Sequence, residues 1–134
     1  MKPFLPTRAA EIIYALMLFV FGFNHMHAGP IMSGGVPVPG GVFWVYFTGA
    51  AFILAAVAII LNRFKTIACY LLALMLLLFV ILIHVPAFVH GQNQMAKMMP
   101  MVSILKDTAL AMGAILIGNN VYARREVTTH KQVV

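Results

Sequence analysis

The chain has 134 residues, of which 63% are hydrophobic and 9% are charged, and its formal net charge is +6. A chain this short and this apolar cannot give a soluble globule a polar surface, so the composition predicts an integral membrane protein. The basic residues lie mainly at the ends of apolar stretches, which makes the positive charge a sign of membrane orientation and argues against a nucleic-acid partner.

Four apolar stretches each approach the roughly 20 residues that a helix needs to cross the bilayer core. They cover residues 9–26, 42–61, 66–85 and 104–122. Because the connections are short, no room is left for a separate soluble module. The sequence therefore predicts an all-α fold: a single four-span domain over residues 1–134, arranged as an up-down-up-down four-helix bundle.

The distribution of basic residues predicts the orientation of these spans. They precede the first span, fill the turn between the second and third, and follow the fourth: Lys2, Arg8, Arg63, Lys65, Arg124, Arg125 and Lys131. By the positive-inside rule, both termini and the turn at 62–65 are expected on the cytoplasmic side of the cell inner (plasma) membrane. The loops at 27–41 and 86–103 are then expected to face outward.

The first span carries its one acidic residue, Glu11, near its start. Arg8 lies three residues earlier, at the spacing of an ion pair on one helix face. The same face continues through Ala15, Leu18, Gly22 and His25. The loop that follows is dense in Gly and Pro, so regular structure is not expected there.

The remaining spans each carry polar side chains in their outer part. Thr48 lies in the second span, and His84 is expected in the last turn of the third, because Pro86 should end that helix. The fourth span opens with Lys106 and Asp107. Asp107 shares a face with Ala111, Ala114 and Gly118, a stripe of small residues typical of close helix packing, whereas Lys106 lies about 100° around the helix and can reach the interface.

Under this topology, the polar residues of all four spans fall at one level in the outer third of the membrane. One interpretation is structural: the groups satisfy one another as hydrogen bonds between helices and fix the register of the bundle. The competing interpretation is a pocket for a small lipophilic molecule such as a quinone, whose carbonyl oxygens a histidine beside a carboxylate could bind. The candidate residues are His25, Thr48, His84, Lys106 and Asp107, with Glu11, Asn24 and His27 as secondary candidates.

A metal site is a third alternative. The single cysteine, Cys69, excludes an internal disulfide and a cysteine-based zinc site. Soft thioether ligands for Cu(I) are concentrated in the second outer loop, at Met95, Met98, Met99 and Met101, with His90 nearby. Methionine is also a flexible apolar filler at a membrane interface, so no metal is expected as a cofactor.

Several short motifs, taken in order, resemble the DoxX-like family of small four-helix membrane proteins. They are F-G-F-N-H-M at 21–26, V-Y-F-T-G at 45–49, R-F-K-T-I-A-C-Y-L-L-A-L-M-L at 63–76, I-H-V-P at 83–86 and L-K-D-T-A-L at 105–110. Each motif is short, but together they span most of the chain.

The resemblance implies a compact four-helix bundle and, for some members, work as membrane partners of oxidoreductases, including quinone-linked sulfur oxidation. Animal relatives look like assembly chaperones for membrane receptors. Relatives often carry an acid in a G-x-x-E pattern after the T-G of the second helix, and here Phe52 stands in that position. We therefore expect a non-enzymatic subunit or assembly partner in the lipid bilayer, associated with a second membrane protein or with another copy of the chain.

Overall fold

A computed structural model describes residues 5–35 and 39–132, and the side chains of 5–34 and 39–122. Lys2 and the side chains of Arg124, Arg125 and Lys131, which enter the orientation prediction, lie outside these ranges. The chain divides into two compact units, Met1–Ala68 and Cys69–Val134, and each is described by itself. The described ranges are helical throughout, apart from short turns, and contain no strand.

The first unit is built on two helices, α1 at Thr7–Met32 and α2 at Gly41–Leu61, with a short 3₁₀ turn at Ser33–Gly35 after α1. The two helices run antiparallel and approach closely at a pair of glycines. A Cβ atom on Gly22 would lie 2.7 Å from the carbonyl oxygen of Gly49, and one on Gly49 would lie 2.9 Å from the Cβ of His25. Only glycine fits at either position, because the backbones themselves are in contact.

The face of α1 that begins at Glu11 is the buried one, as its spacing predicts. Its buried residues recur every three, four or seven positions, at Glu11, Ala15, Leu18, Gly22 and Gly29. The aromatic ring of Tyr46 on α2 packs against Gly29, where a Cβ would lie 2.5 Å from the ring. The large apolar side chains on the other faces of α1 are exposed, as expected for a helix in contact with lipid.

A tight turn separates α2 from α3, which begins at Lys65 and ends at Phe79. Asn62 takes a left-handed conformation with φ of 55°, and its N–H donates to the carbonyl of Ile59 at 3.2 Å. The next N–H, from Arg63, reaches back to Ala58 at 3.1 Å. This pair of bonds is a Schellman motif, in which asparagine substitutes for the usual glycine.

The third span does not end at Pro86. After α3, a π-helical turn at Val80–His84 leads directly into α4 at Val85–His90, so helical structure continues for six residues past His84. Proline lacks an N–H, and its ring needs room against the carbonyl four residues earlier. The wider π turn, in which the N–H of Val85 bonds to the carbonyl of Val80, lies immediately before the proline. The prediction that Pro86 ends the helix is therefore wrong.

The two loops that are predicted to face outward are both shorter than expected. The first helix extends through His27 and Pro30 to Met32, into the segment at 27–41 that was expected to lack regular structure. In the second loop, α5 begins at Gln94 and continues to Gln132, so the methionine-rich segment is helical. Asn93 caps this helix, since its side-chain oxygen accepts a hydrogen bond from the N–H of Ala96 at 2.8 Å.

Among the residues that the structure describes, four helices are long and apolar enough to cross a membrane: Thr7–Met32, Gly41–Leu61, Lys65–His90 and Gln94–Tyr122. This confirms the prediction of an all-helical chain with four membrane-length helices, and fits a multi-pass membrane protein. The second span has almost the predicted bounds, whereas the others are longer. The up-down-up-down order and the sidedness of the termini stay predictions.

Candidate functional site

The first unit contains a group of charged side chains, the buried Glu11 and Lys65 with the partly exposed Arg8, which we call the Glu11 cluster. Only 2% of Glu11 and 8% of Lys65 are exposed. The Nζ atom of Lys65 lies 3.0 Å from both carboxylate oxygens of Glu11, and Nη1 of Arg8 lies 3.1 Å from Oε2. The predicted pair of Arg8 with Glu11 is therefore present, and a second cation completes it.

Arg8 also caps the end of α2. Its Nη1 donates to the carbonyl of Ile59 at 2.8 Å, and its Nη2 donates to the carbonyl of Ile60. These carbonyls lie in the last turn, where intrahelical donors run out and the helix dipole favours a cation. The Glu11 cluster thus links the start of α1, the end of α2 and the start of α3.

Lys65 was missed as a site residue because it was interpreted only as a sign of cytoplasmic orientation. The predicted topology could have indicated the role of Lys65. The start of the first span and the turn at 62–65 were both predicted at the cytoplasmic end, and an acid buried at that depth favours a cation from another helix.

The second unit contains His84, Lys106 and Asp107, which we call the Asp107 cluster. The Nε2 atom of His84 lies 3.0 Å from Oδ2 of Asp107, and Nζ of Lys106 lies 3.3 Å from Oδ1. The Asp107 side chain is 5% exposed, but those of His84 and Lys106 are 23% and 42% exposed. The π turn that ends at His84 sets the position of the imidazole, and such turns are frequent at functional sites.

The geometry leaves one ring nitrogen of His84 unused. Nε2 donates to the Asp107 carboxylate, and Nδ1 has no hydrogen-bond partner among the described residues. An imidazole held in this way can exchange a hydrogen bond with a carbonyl or hydroxyl group through Nδ1. Chemically, the Asp107 cluster can orient one polar ligand atom, or transfer a proton to it.

His25 and Thr48 form different contacts from those predicted. Nδ1 of His25 donates to the carbonyl of Phe21 at 2.8 Å, and the Thr48 hydroxyl donates to the carbonyl of Trp44 at 2.8 Å. Both bonds stay within one helix, so neither fixes the register between helices. The His25 ring instead packs against Phe52, with ring centroids 5.5 Å apart.

The candidates of the predicted polar layer are thus divided between the two units. His25 and Thr48 belong to the first unit, while His84, Lys106 and Asp107 are together in the second. The direct pair of His84 with Asp107 is the hydrogen bond between helices that the structural interpretation requires. The meeting of all five residues at one site stays a prediction.

Two secondary candidates, Asn24 and His27, lie on the exposed side of α1. The His27 ring packs on Phe23, with centroids 4.4 Å apart. Asn24 has no hydrogen-bond partner in the part of the chain that the structure describes. Neither residue contributes to the Glu11 cluster.

The methionine-rich segment forms the first turns of α5. Met95, Met98 and Met99 are all exposed, and their spacing places them on one helix face. Lys97, on a different face, packs on Gly91 and lies 5.8 Å from the centre of the Phe88 ring. His90 donates from Nδ1 to the carbonyl of Pro86 at 2.8 Å.

Within the described ranges, no group of three or more His, Cys, Asp and Glu side chains is placed to hold a metal ion. That finding does not concern thioether ligands. Cu(I) binding by the segment with Met95, Met98, Met99 and Met101 therefore stays a prediction.

Comparison with known proteins gives no relative for this chain: no protein-family model, curated protein or solved structure matches it.

Proposed function

We propose that the chain is a non-enzymatic subunit or assembly partner of a larger membrane complex, of the DoxX-like kind. It would lie in the cell inner membrane with both termini cytoplasmic. The observation that carries this proposal is the pairing of the buried acids with basic side chains of the same chain. Glu11 binds Arg8 and Lys65, and Asp107 binds His84 and Lys106.

In both clusters, the charged groups connect helices to one another. Charged side chains at membrane depth are costly, and mutual pairing is one of the few ways to keep them there. A carboxylate with two basic side chains at 3.0 to 3.3 Å already has hydrogen-bond donors from its own chain. These contacts support a scaffold whose polar residues hold its own helices in place.

Phe52 supports the same conclusion. It stands at the position of the acid in the G-x-x-E pattern, is 4% exposed, and packs against His25 and Phe21 at centroid distances of 5.5 and 6.0 Å. An acid at this position would lie beside the imidazole of His25 and could set its tautomer. With a phenyl ring there, this histidine has an apolar neighbour and a hydrogen bond to its own helix.

One observation favours a second candidate function, a quinone-binding redox subunit. Nδ1 of His84 has no partner among the described residues, and the side chain is 23% exposed. A quinone or quinol would fit this chemistry. With Nε2 donating to Asp107, Nδ1 accepts from a quinol hydroxyl when the ring is neutral and donates to a quinone carbonyl when the ring is protonated.

The proposal is tested by purifying the protein from its native membrane in a mild detergent and analysing both proteins and lipophilic molecules by mass spectrometry. A subunit or assembly partner is expected to retain a membrane protein in a defined ratio. Recovery of a stoichiometric quinone, with no co-purifying protein, would overturn the proposal in favour of the second candidate.

A His84→Ala variant separates the two roles further. In the structural role, the substitution leaves Asp107 without one donor and lowers the free energy of unfolding by about 1 to 3 kcal/mol. In the redox role, it abolishes quinone binding with little change in stability. His90→Ala is the matched control, since His90 is exposed and bonds only to its own helix.

A further inference from the structure

The exposed side of α1, opposite its buried face, carries a regular stripe of residues, which we call the Asn24 stripe. Its members follow one another at alternating steps of four and three positions: Ile13, Met17, Val20, Asn24, His27 and Ile31, all exposed. Alternating steps of three and four are the heptad pattern by which one helix packs along another. By helical geometry, the stripe lies roughly 160° from the buried face that contains Glu11 and Gly22.

Asn24 lies below the membrane interface on this stripe. Tyr46, which packs on Gly29, belongs to a group of aromatic residues at the start of α2 that is typical of the interface: Phe43, Trp44, Tyr46 and Phe47. Asn24 precedes Gly29 by five residues, which is about 7.5 Å along the helix toward the centre of the membrane. Its amide is therefore exposed to hydrocarbon.

An exposed amide at this depth has no water to bond, and in the described part of the chain it has no protein partner either. Leaving such a group unpaired in lipid is unfavourable, so a partner is expected from outside the chain. A carboxamide both donates and accepts hydrogen bonds, which makes two of them complementary to each other.

We propose that the chain forms a parallel homodimer in which the Asn24 stripes of two copies pack together and the two Asn24 side chains bond reciprocally. A second copy inserted in the same orientation always presents its amide at the same depth. A two-fold axis along the membrane normal then brings each position of the stripe next to itself. One asparagine in a heptad stripe is also a known device for setting register and the number of helices.

The inference goes beyond the proposed function and requires only that α1 crosses the bilayer. If the dimer were absent, the proposed subunit role would be unaffected, since that role rests on the two charged clusters.

Cysteine cross-linking in native membranes tests the geometry. In a Cys69→Ala background, which removes the single cysteine, Val20→Cys and Ile31→Cys lie on the stripe, and Phe19→Cys is the control. Phe19 is also exposed but lies about 140° around the helix from Asn24. We expect oxidation to give a covalent dimer from both stripe variants and not from the control. Equal cross-linking at all three positions, or none at any, would overturn the proposal.

The role of the amide is tested by measuring dimerisation of the full chain in lipid vesicles by energy transfer between labelled copies. Asn24→Leu should weaken association about tenfold, because two hydrogen bonds in lipid are lost, and Asn24→Gln should retain much of it. Asn119→Leu is the matched control, since this exposed asparagine already accepts a hydrogen bond from Tyr70. Unchanged dimerisation of Asn24→Leu, with helical content intact, would overturn the proposal, as would a strictly monomeric protein.

Discussion

The two charged clusters contain similar residues but differ in how exposed their basic side chains are. Each contains one buried acid and two basic side chains. In the Glu11 cluster, the Lys65 side chain is 8% exposed and comes from a distant part of the chain. In the Asp107 cluster, one base is the adjacent residue, Lys106, and both bases are partly exposed. The Glu11 cluster therefore has one buried base, Lys65, beside the partly exposed Arg8 at 38%, whereas the Asp107 cluster has no buried base and is the more open of the two.

This difference indicates what each cluster does. The acid and its two bases connect three helix ends. Removing Glu11 leaves Lys65 buried without its acid, and removing Lys65 leaves the buried Glu11 paired with the partly exposed Arg8. In the Asp107 cluster, the partly exposed bases can exchange protein contacts for water or ligand contacts. We therefore propose that the Glu11 cluster serves stability and that a ligand or partner would bind at the Asp107 cluster.

The largest effect is expected from Lys65→Met. The substitution keeps the length of the side chain but removes the cation, so that Glu11 loses its buried ion pair with Lys65. We expect a loss of about 3 kcal/mol or more in the free energy of unfolding, as for other broken buried ion pairs. The measurement is denaturation in mixed micelles followed by the fluorescence of Trp44, the single tryptophan, which lies in the first unit.

The double variant Glu11→Leu with Lys65→Met is the control. It removes the acid together with the cation, and buried ion pairs can often be replaced by apolar residues at little cost. We expect most of the lost stability to return. A double variant as unstable as Lys65→Met would show that the salt bridge between Glu11 and Lys65 is not the cause.

A smaller effect is expected from Asp107→Asn. The amide oxygen can still accept the hydrogen bond of His84, and the bases left behind are partly exposed, so the loss should be about 1 to 2 kcal/mol. Far-UV circular dichroism during denaturation follows it. A loss as large as that of Lys65→Met would contradict the distinction between a cluster with a buried base and a cluster whose bases are partly exposed.

The apolar pattern of the sequence predicted the number of spans well, because length and hydropathy suffice for that inference. Helix ends were less predictable. Pro86 was expected to end the third span on the rule for α-helices, but the adjacent π turn at Val80–His84 relieves the steric conflict. Such a turn has no clear signature in the residues of the span, which are uniformly apolar.

The polar residues show a second limit. Helical spacing correctly placed Asp107 on a packing face and Glu11 within reach of Arg8, and both acids are almost fully buried. It could not predict that the side chains of His25 and Thr48 would bond within their own helices, because a donor near a carbonyl one turn away always has that choice. Lys65 was missed because it was interpreted only as a sign of cytoplasmic orientation.

The smallest effect is expected from Lys106→Met. Its side chain is 42% exposed, and its ion pair with Asp107 joins neighbouring residues of one helix, so the pair adds no link between helices. Partly exposed ion pairs contribute about 0 to 1 kcal/mol, and the variant should unfold within that range of the unchanged protein. If Lys106→Met instead destabilised the protein as much as Lys65→Met does, both cations would be buried supports, and the Asp107 cluster could no longer be regarded as open.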